Sequence, residues 1–203
     1  MVKYLRYVFY SPEGDVKMAY KNVVVYCGSR AGNNPSYAAL AGRLGEALGK
    51  NGFHLIYGGG TVGLMGILAD AALTAGGHVT GIIPEVFIEK EQAHRGLTEL
   101  IEVSDMTTRK KRLMESGDAF LVLPGGIGTL EELADTLSHY RIYWTPGNRP
   151  PILIMNPDGI YDPLKELMAN WMARGFAGRE DLSSIRFCKT VEEVIAIIKP
   201  RKL

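Results

Sequence analysis

The chain has 203 residues, of which 46% are apolar and 22% are charged, proportions typical of a folded globular protein with one core. Its formal net charge of +1 argues against electrostatic capture by nucleic acid or by an anionic membrane, and no apolar stretch approaches the ~20 residues of a membrane span. Cys27 and Cys188 lie in apolar runs outside any CxxC pair, and the N-terminus does not resemble a signal peptide, so we expect a cytoplasmic protein without disulfides.

Short apolar runs of strand length alternate along the chain with longer segments of helical periodicity. Residues 1–21 stand outside this alternation and predict an N-terminal extension folded as a hairpin. In chain order, the predicted elements are strand 22–28, helix 35–52, strand and glycine turn 53–60, helix 63–77, strand 78–84, strand 98–104, helix 105–117, strand and turn 118–126, helix 128–144, strand 151–156, helix 161–175, strand 185–189 and helix 191–199. Residues 85–97 predict an irregular loop.

The alternation of strands and helices predicts βαβ units, whose parallel strands must be covered by helices on both faces. We therefore expect residues 22–203 to form a single nucleotide-binding domain of the α/β class. Its fold would be a Rossmann-like, doubly wound, mostly parallel sheet of about seven strands. Ligands of such sheets bind at the carboxyl ends of the strands, so the loops that follow the strands are the candidate site.

Two glycine clusters stand where a predicted strand passes into a helix: YGGGTVGLMG at residues 57–66 and LPGGIGTLEE at residues 123–132. Glycine lets the backbone approach a ligand closely, and the free N–H groups of the following helix attract phosphate. The turn CGSRAGNNP adds the hydroxyl of Ser29 near another helix start. Neither cluster matches the P-loop or the dinucleotide fingerprint. The alternative to phosphate binding is that these glycines only allow a tight turn between strand and helix.

Thr129 and Glu132 allow two interpretations. Thr-Leu-Glu-Glu fits a capping box, with Thr129 as the N-cap and Glu132 reaching back to it. On a helical wheel Glu132 points away from an apolar stripe formed by Leu130, Leu133, Ala134 and Leu137. Helix capping and catalysis therefore both stay open for Glu132 at this point.

The helix at residues 105–117 carries four consecutive cations, with Asp105 as its predicted N-cap. Arg109 and Lys110 border the apolar stripe of Met106, Leu113, Met114 and Gly117, whereas Lys111 and Arg112 face away from it. A cation beside an inward stripe can meet a phosphate or a carboxylate near the sheet edge. The alternative is that Arg109 and Lys110 extend their charged ends into solvent.

Other signals are weaker. No two histidines have metal-ligand spacing on one helix, so no metal is predicted, and the GxSxG elbow of a serine hydrolase does not occur. Tyr140, Tyr143 and Trp144 make one helix end aromatic, which indicates either core packing or a subunit contact.

Three segments, GGGTVGLMG, MTTRKKRLM and LPGGIGTLEEL, resemble the Lonely Guy (LOG) family in order and spacing, and the resemblance runs from about Asn22 to the C-terminus. The family consists of cytokinin riboside 5′-monophosphate phosphoribohydrolases, many of whose relatives were once labelled lysine decarboxylases. The resemblance implies cleavage of a purine nucleoside 5′-monophosphate to free base and ribose 5-phosphate, without a cofactor. It also implies a homodimer, sometimes assembled further.

The resemblance implies roles for particular residues. Arg109, in the upstream helix, matches the family's essential arginine, and Glu132, at the end of the PGGxGTxxE motif, matches its essential glutamate. Glu91 and Lys110 fall on nucleotide-contacting positions, and Ser138 keeps a hydroxyl where the family often has threonine. With the glycine turns, the expected substrate-binding set is Ser29, Gly59, Gly60, Glu91, Lys110, Gly125, Gly126, Gly128, Thr129, Glu131 and Ser138.

Residues 138–152 depart from the family's usual Trp-x-Gln-Leu-Gly segment, so the preference for a prenylated base stays open and plain AMP is a further candidate substrate. A carrier that binds a nucleotide without cleaving it is the alternative function, against which the joint presence of Arg109 and Glu132 argues. The balanced charge disfavours a nucleic-acid-binding role.

Overall fold

The computed structural model of the chain describes residues 8–10, 16–18, 21–88 and 93–199. The strands are β1 (Val8–Tyr10), β2 (Val16–Met18), β3 (Asn22–Tyr26), β4 (His54–Tyr57), β5 (His78–Pro84), β6 (Glu99–Val103), β7 (Ala119–Val122), β8 (Ile152–Met155) and β9 (Ile185–Cys188). The helices are α1 (Pro35–Lys50), α2 (Gly63–Thr74), α3 (Glu85–Ile88), α4 (Met106–Ser116), α5 (Ile127–Tyr143), α6 (Asp162–Ala173) and α7 (Val191–Ile198), with a 3-10 turn at Pro146–Asn148.

Seven strands form one parallel sheet in the order β6-β5-β4-β3-β7-β8-β9, which confirms the predicted doubly wound architecture. The chain builds outward from β3 to β6, then returns to place β7 on the other side of β3. The strand order therefore reverses between β3 and β7, where Val25 pairs with Leu121 and Tyr26 with Val122. The loops that leave these two strands diverge at this point and open the crevice in which such folds bind ligands.

The sheet is covered on both faces because its strands are apolar on both sides. Successive residues of β3 alternate between two cores: Val23 and Val25 belong to one, Val24 and Tyr26 to the other. Helices α1, α2 and α7 supply the first core, and α4, α5 and α6 supply the second. Burial of these apolar side chains is the main stabilising contribution to the fold.

The start of α1 shows how local sequence sets an element boundary. The side chain of Asn34 accepts a hydrogen bond from the Ser36 amide at 3.0 Å, and Pro35 occupies the first turn of the helix. Gly52 takes a positive φ of 72° just beyond the end of the helix, a conformation that favours glycine. The loop before α1 is thereby held at the carboxyl end of β3.

The N-terminal extension contains β1 and β2, which pair antiparallel in a separate two-stranded sheet. The division of the chain at residue 21 stays a prediction, because the other residues of the extension lie outside the described ranges. The region predicted as an irregular loop contains the single-turn helix α3. Within the described ranges, every helix is too short or too polar to cross a bilayer.

Candidate active site

A cleft of about 750 Å³ opens at the carboxyl ends of the strands, where the strand order reverses. The β3–α1 loop (residues 27–33) lines it, and so do the β7–α5 turn (residues 124–126) and the first three residues of α5. Arg109 of α4 and Glu132 of α5 line it as well. The fold thus brings the cationic helix and the second glycine turn into one cleft, although they are separate in the sequence.

The N-terminus of α5 faces this cleft with its amides open. Gly126 is the N-cap, and no side chain within the described residues caps the helix. A Cβ built on Gly126 or Gly128 would meet no described atom within 4 Å, so this turn presents bare backbone. Unpaired N–H groups and the positive end of the helix dipole make such a position suited to an anion.

Of the two interpretations left open for Thr129 and Glu132, the capping box is wrong. Because Gly126 takes the N-cap position, the helix starts at Ile127 and Thr129 is its third residue. Thr129 is buried, and a Cβ on Gly125 would lie 2.1 Å from its hydroxyl oxygen, so Thr129 packs against the turn that precedes it. Glu132 has no capping role and lines the cleft.

The first glycine cluster, in contrast, does not offer its helix to a ligand. The Leu64 amide donates to the Gly28 carbonyl at 3.1 Å, and a Cβ on Gly63 would lie 2.4 Å from the Ser29 backbone. The β3–α1 loop therefore covers the start of α2. Of the three consecutive glycines at residues 58–60, only Gly58 lines the cleft. The Gly59 carbonyl accepts a hydrogen bond from the His94 amide, and Gly60 forms a β-bridge with Ala93.

Arg109 is buried, with only 6% of its surface exposed, so the alternative that it extends into solvent is wrong. Its Nη2 lies 3.4 Å from the Gly58 carbonyl and 4.0 Å from the Glu132 carboxylate, and its Nη1 lies 3.6 Å from the Met106 sulfur. Its Nε has no hydrogen-bond partner among the described residues. A buried guanidinium with such long contacts retains donors for an additional acceptor.

Glu132 lies beside the inward face of α5, which corrects the helical-wheel expectation. The buried positions of this helix are Thr129, Leu133, Thr136 and Tyr140, whereas Leu130 and Ala134 of the predicted stripe are exposed. Burial of Thr136 is tolerated because its hydroxyl lies 2.9 Å from the Tyr26 hydroxyl and donates to the Glu132 carbonyl. The side chain of Glu132 is 14% exposed at the cleft.

Lys110 connects α4 to α5 rather than lining the cleft. Its Nζ lies 2.8 Å from Asp135 and 2.7 Å from Glu131. Hydrogen bonds to these carboxylates raise the pKa of Lys110, and the bond to Asp135 has the larger effect. The predicted N-cap of α4 is confirmed, because Asp105 accepts a hydrogen bond from the Thr108 amide at 2.8 Å. Hydrogen bonds from Ser104 and Thr108 hold the pKa of Asp105 at about 2.

Eight of the expected site residues line the cleft together, and they are Ser29, Arg109, Gly125, Gly126, Gly128, Thr129, Glu131 and Glu132. Gly59, Gly60, Lys110 and Ser138 lie outside its lining, and Ser138 is exposed on α5. Glu91 lies outside the described residues. The cleft is also lined by residues outside the expected set, among them Arg30, Gly58, Phe87 and Met106. Arg30 and Gly58 could have been predicted, because they directly adjoin the expected residues Ser29 and Gly59 in the sequence.

Two further observations concern reactive groups. Cys188 is buried, and burial raises its pKa to about 11. Cys27 is half-buried and lines the cleft, and desolvation likewise raises its pKa, which keeps it a thiol and a weak nucleophile. Among the residues that the structure describes, no cluster of His, Cys, Asp and Glu is arranged to hold a metal ion.

Comparisons with known proteins give two kinds of similarity. A family model described as "possible lysine decarboxylase" matches residues 65–198. A cytokinin riboside 5′-monophosphate phosphoribohydrolase from Rhodococcoides fascians is 43% identical over 182 residues, which cover 88% of this chain and 89% of that protein. The enzyme of the same name from Oryza sativa subsp. japonica is 34% identical over 182 residues, which cover 90% of this chain and 74% of that protein.

Solved structures extend the similarity to the fold. The molybdenum cofactor binding protein from Rippkaea orientalis superposes with a TM-score of 0.66 at 23% identity, covering 88% of this chain and 95% of that one. The molybdenum cofactor carrier protein from Chlamydomonas reinhardtii gives a TM-score of 0.68 at 18% identity with the same coverage. At such identities the likeness extends to the arrangement of strands and helices alone.

Proposed function

The chain belongs to the Lonely Guy family of cytokinin riboside 5′-monophosphate phosphoribohydrolases, and on that premise we propose that it hydrolyses the N-glycosidic bond of a purine nucleoside 5′-monophosphate. The products are the free base and ribose 5-phosphate. The observation that carries this proposal is the pair of Arg109 and Glu132, both largely buried, 4.0 Å apart and beside the open N-terminus of α5.

The chemistry requires a carboxylate at the sugar. When the bond between C1′ and the base nitrogen breaks, its electron pair leaves with the base and positive charge develops at C1′. Glu132 stabilises this charge and accepts a proton from the attacking water, whose oxygen bonds to C1′. A proton is returned to the base nitrogen, so that water is divided between the two products.

Arg109 and the β7–α5 turn position the substrate for this step. The amides at the start of α5 hold the 5′-phosphate, for which no change of conformation is required because the turn is already open. The donors that Arg109 retains bind an acceptor on the nucleotide and orient the Glu132 carboxylate. Binding groups fixed before the reaction reduce the entropic cost of reaching the transition state.

The base is expected against Phe87 and Met106, apolar residues of the cleft lining that can contact a purine face. Residues 138–152 depart from the family's usual pattern, so both plain AMP and an N6-prenylated nucleotide are candidate substrates. The PGGxGTxxE motif, at Pro124 to Glu132, would hold the phosphate and ribose of either.

Self-association as a homodimer is proposed through the outer face of α5. Ile127 is 88% exposed and Leu130 is 48% exposed on this helix, and Ala134 is exposed one turn further along. Residues three and four apart share a helix face, so these side chains form one apolar surface. Ile127 also lines the cleft, so a second copy seated on this face would enclose the substrate.

The remaining expectations concern cofactors, other partners and location. A small-molecule nucleotide is the proposed partner besides a second copy of the chain. The absence of a cofactor, the absence of nucleic-acid or membrane partners and a cytoplasmic location stay predictions.

The direct test incubates the purified protein with AMP and, separately, with isopentenyladenosine monophosphate and measures free base by chromatography. We expect Glu132→Gln to fold normally and to lose turnover by about 10²–10⁴-fold, the range typical of general acid–base residues. Glu166→Gln, an exposed glutamate on α6, is the matched control and should keep full activity. Tight retention of nucleotide without release of base would favour the carrier function instead.

A further inference from the structure

The charges that line the cleft do not by themselves account for a bound phosphate. Four described lining residues are formally charged, and they are Arg30, Arg109, Glu131 and Glu132. Their charges cancel, whereas a phosphate monoester carries a charge of about −1.5 to −2 at neutral pH. A cation that is not already paired with a carboxylate would therefore add to the binding that the amides at the start of α5 give a phosphate.

Three of the four charges have partners within the protein. Arg109 faces Glu132 at 4.0 Å from a buried position on α4. Glu131 is paired at 2.7 Å with Lys110, whose second partner is Asp135 at 2.8 Å. Arg30, in contrast, makes no hydrogen bond or ion pair through its side chain with any residue in the described ranges.

The backbone of Arg30 is held against the turn that precedes α5. The Gly28 amide donates to the Pro124 carbonyl at 3.1 Å, and a Cβ on Gly28 would lie 2.9 Å from the Arg30 carbonyl and 3.4 Å from the Cα of Gly125. On its other side, a Cβ on Gly63 would lie 2.5 Å from the Arg30 amide nitrogen. The loop is thus fixed between the start of α2 and the β7–α5 turn, while the Arg30 side chain remains exposed at the cleft.

From this arrangement we infer that Arg30 is the cation that binds the 5′-phosphate of the nucleotide and makes the cleft selective for nucleoside monophosphates over nucleosides. The inference rests on the proposed function, because it assumes that the phosphate lies at the open N-terminus of α5. A guanidinium binds a phosphate through two parallel hydrogen bonds, which complements the backbone amides of the turn. The charge of the phosphate does not change as the bond at C1′ breaks, so we expect Arg30 to bind the ground state and the transition state equally, which affects KM and not kcat.

Binding is measured by calorimetry with AMP and with adenosine in the Glu132→Gln background, so that no substrate is consumed. Adding Arg30→Gln should weaken AMP binding by about tenfold or more, as expected for the loss of a charged hydrogen bond, and should leave adenosine binding within twofold. With wild-type Glu132, Arg30→Gln should raise KM for AMP by a similar factor and leave kcat within about twofold. Arg30→Lys keeps the charge and should recover part of the affinity.

The matched control is Arg112→Gln, an exposed arginine on α4 outside the cleft lining, which should change neither affinity. Unchanged AMP affinity in the Arg30→Gln variant would overturn the inference, and so would an equal loss of AMP and adenosine affinity. A fall in kcat at constant KM would likewise contradict a role restricted to binding. If the wild-type chain releases no base from any nucleotide, the proposed hydrolysis fails, and the ratio of AMP to adenosine affinity still tests Arg30.

Discussion

At the scale of single residues, the position of the Arg109 guanidinium depends on Gly58, which has no side chain. A Cβ on Gly58 would lie 2.2 Å from the Nη2 atom of Arg109 and 3.2 Å from the Met65 sulfur. Gly58 does not have a positive φ, so the backbone itself would accept alanine. The glycine therefore provides the space that the buried guanidinium occupies next to Glu132.

We expect Gly58→Ala to displace the guanidinium and to lower kcat/KM by about 10²-fold, since a misplacement of about 1 Å has an effect of that size. The melting temperature should change little, because the atom that must move is the far end of a flexible side chain. Gly42→Ala is the control, since its added Cβ would lie 3.7 Å from Ile67, an ordinary contact. Activity of Gly58→Ala near the wild-type level would contradict the assigned role of Arg109.

At the scale of elements, the site depends on how α4 is held against α5. Arg109 and Glu132 approach each other only to 4.0 Å, whereas the neighbouring Lys110 makes two short ion pairs with α5. Exposed ion pairs contribute about 0–1 kcal/mol each, but Lys110 is only 21% exposed and joins two carboxylates one turn apart. This connection fixes the separation of the two helices on which Arg109 and Glu132 stand.

Lys110→Met and Asp135→Asn should therefore lower kcat by about three- to tenfold with little change in KM, because the reacting groups lose their alignment. The double variant should be no worse than Lys110→Met alone, since both substitutions remove the same interaction. A different result, in which Lys110→Met raises KM and Asp135→Asn has no effect, would mean that Lys110 contacts the nucleotide directly, as the family resemblance implies.

At the scale of the whole molecule, the apolar surface on α5 adjoins the cleft. Ile127 contributes to both, and Ile142 and Tyr143 extend the exposed apolar residues to the far end of the helix. Of the aromatic residues predicted as either core or subunit contact, Tyr140 is buried and Tyr143 is 71% exposed. Exposed apolar side chains gathered on one element are typical of a surface that associates with a partner.

Leu130→Lys should convert a dimer into a monomer in analytical ultracentrifugation, because a lysine would be placed at the centre of the proposed apolar contact. The cleavage rate should also fall, since a second copy seated beside Ile127 would no longer enclose the substrate. Leu167→Lys replaces a leucine of similar exposure on α6 and should leave the sedimentation unchanged. A Leu130→Lys protein that sediments like wild type would exclude this face as the interface.

The motifs in the sequence were sufficient to predict the family, and the alternation of apolar runs with helical segments was sufficient for the doubly wound sheet. Both predictions are confirmed. They were possible because motifs and apolar periodicity can be recognised from residues that are close together in the sequence. The boundaries of the β7–α5 turn were less accessible. The pattern Thr-Leu-Glu-Glu matches a capping box with Thr129 as the N-cap, but nothing in it shows that the helix already begins at Ile127 with Gly126 as the N-cap.

The sequence by itself determined the fold class, the site-bearing loops and the candidates Arg109 and Glu132. Only the tertiary structure decided that Arg109 is buried, that Glu132 borders the inward face of α5, and that the β3–α1 loop covers the helix start after the first glycine cluster. The physical reason is that burial and pairing depend on residues distant in sequence: Gly58 makes space for Arg109, Tyr26 satisfies Thr136, and Gly28 occupies the Leu64 amide.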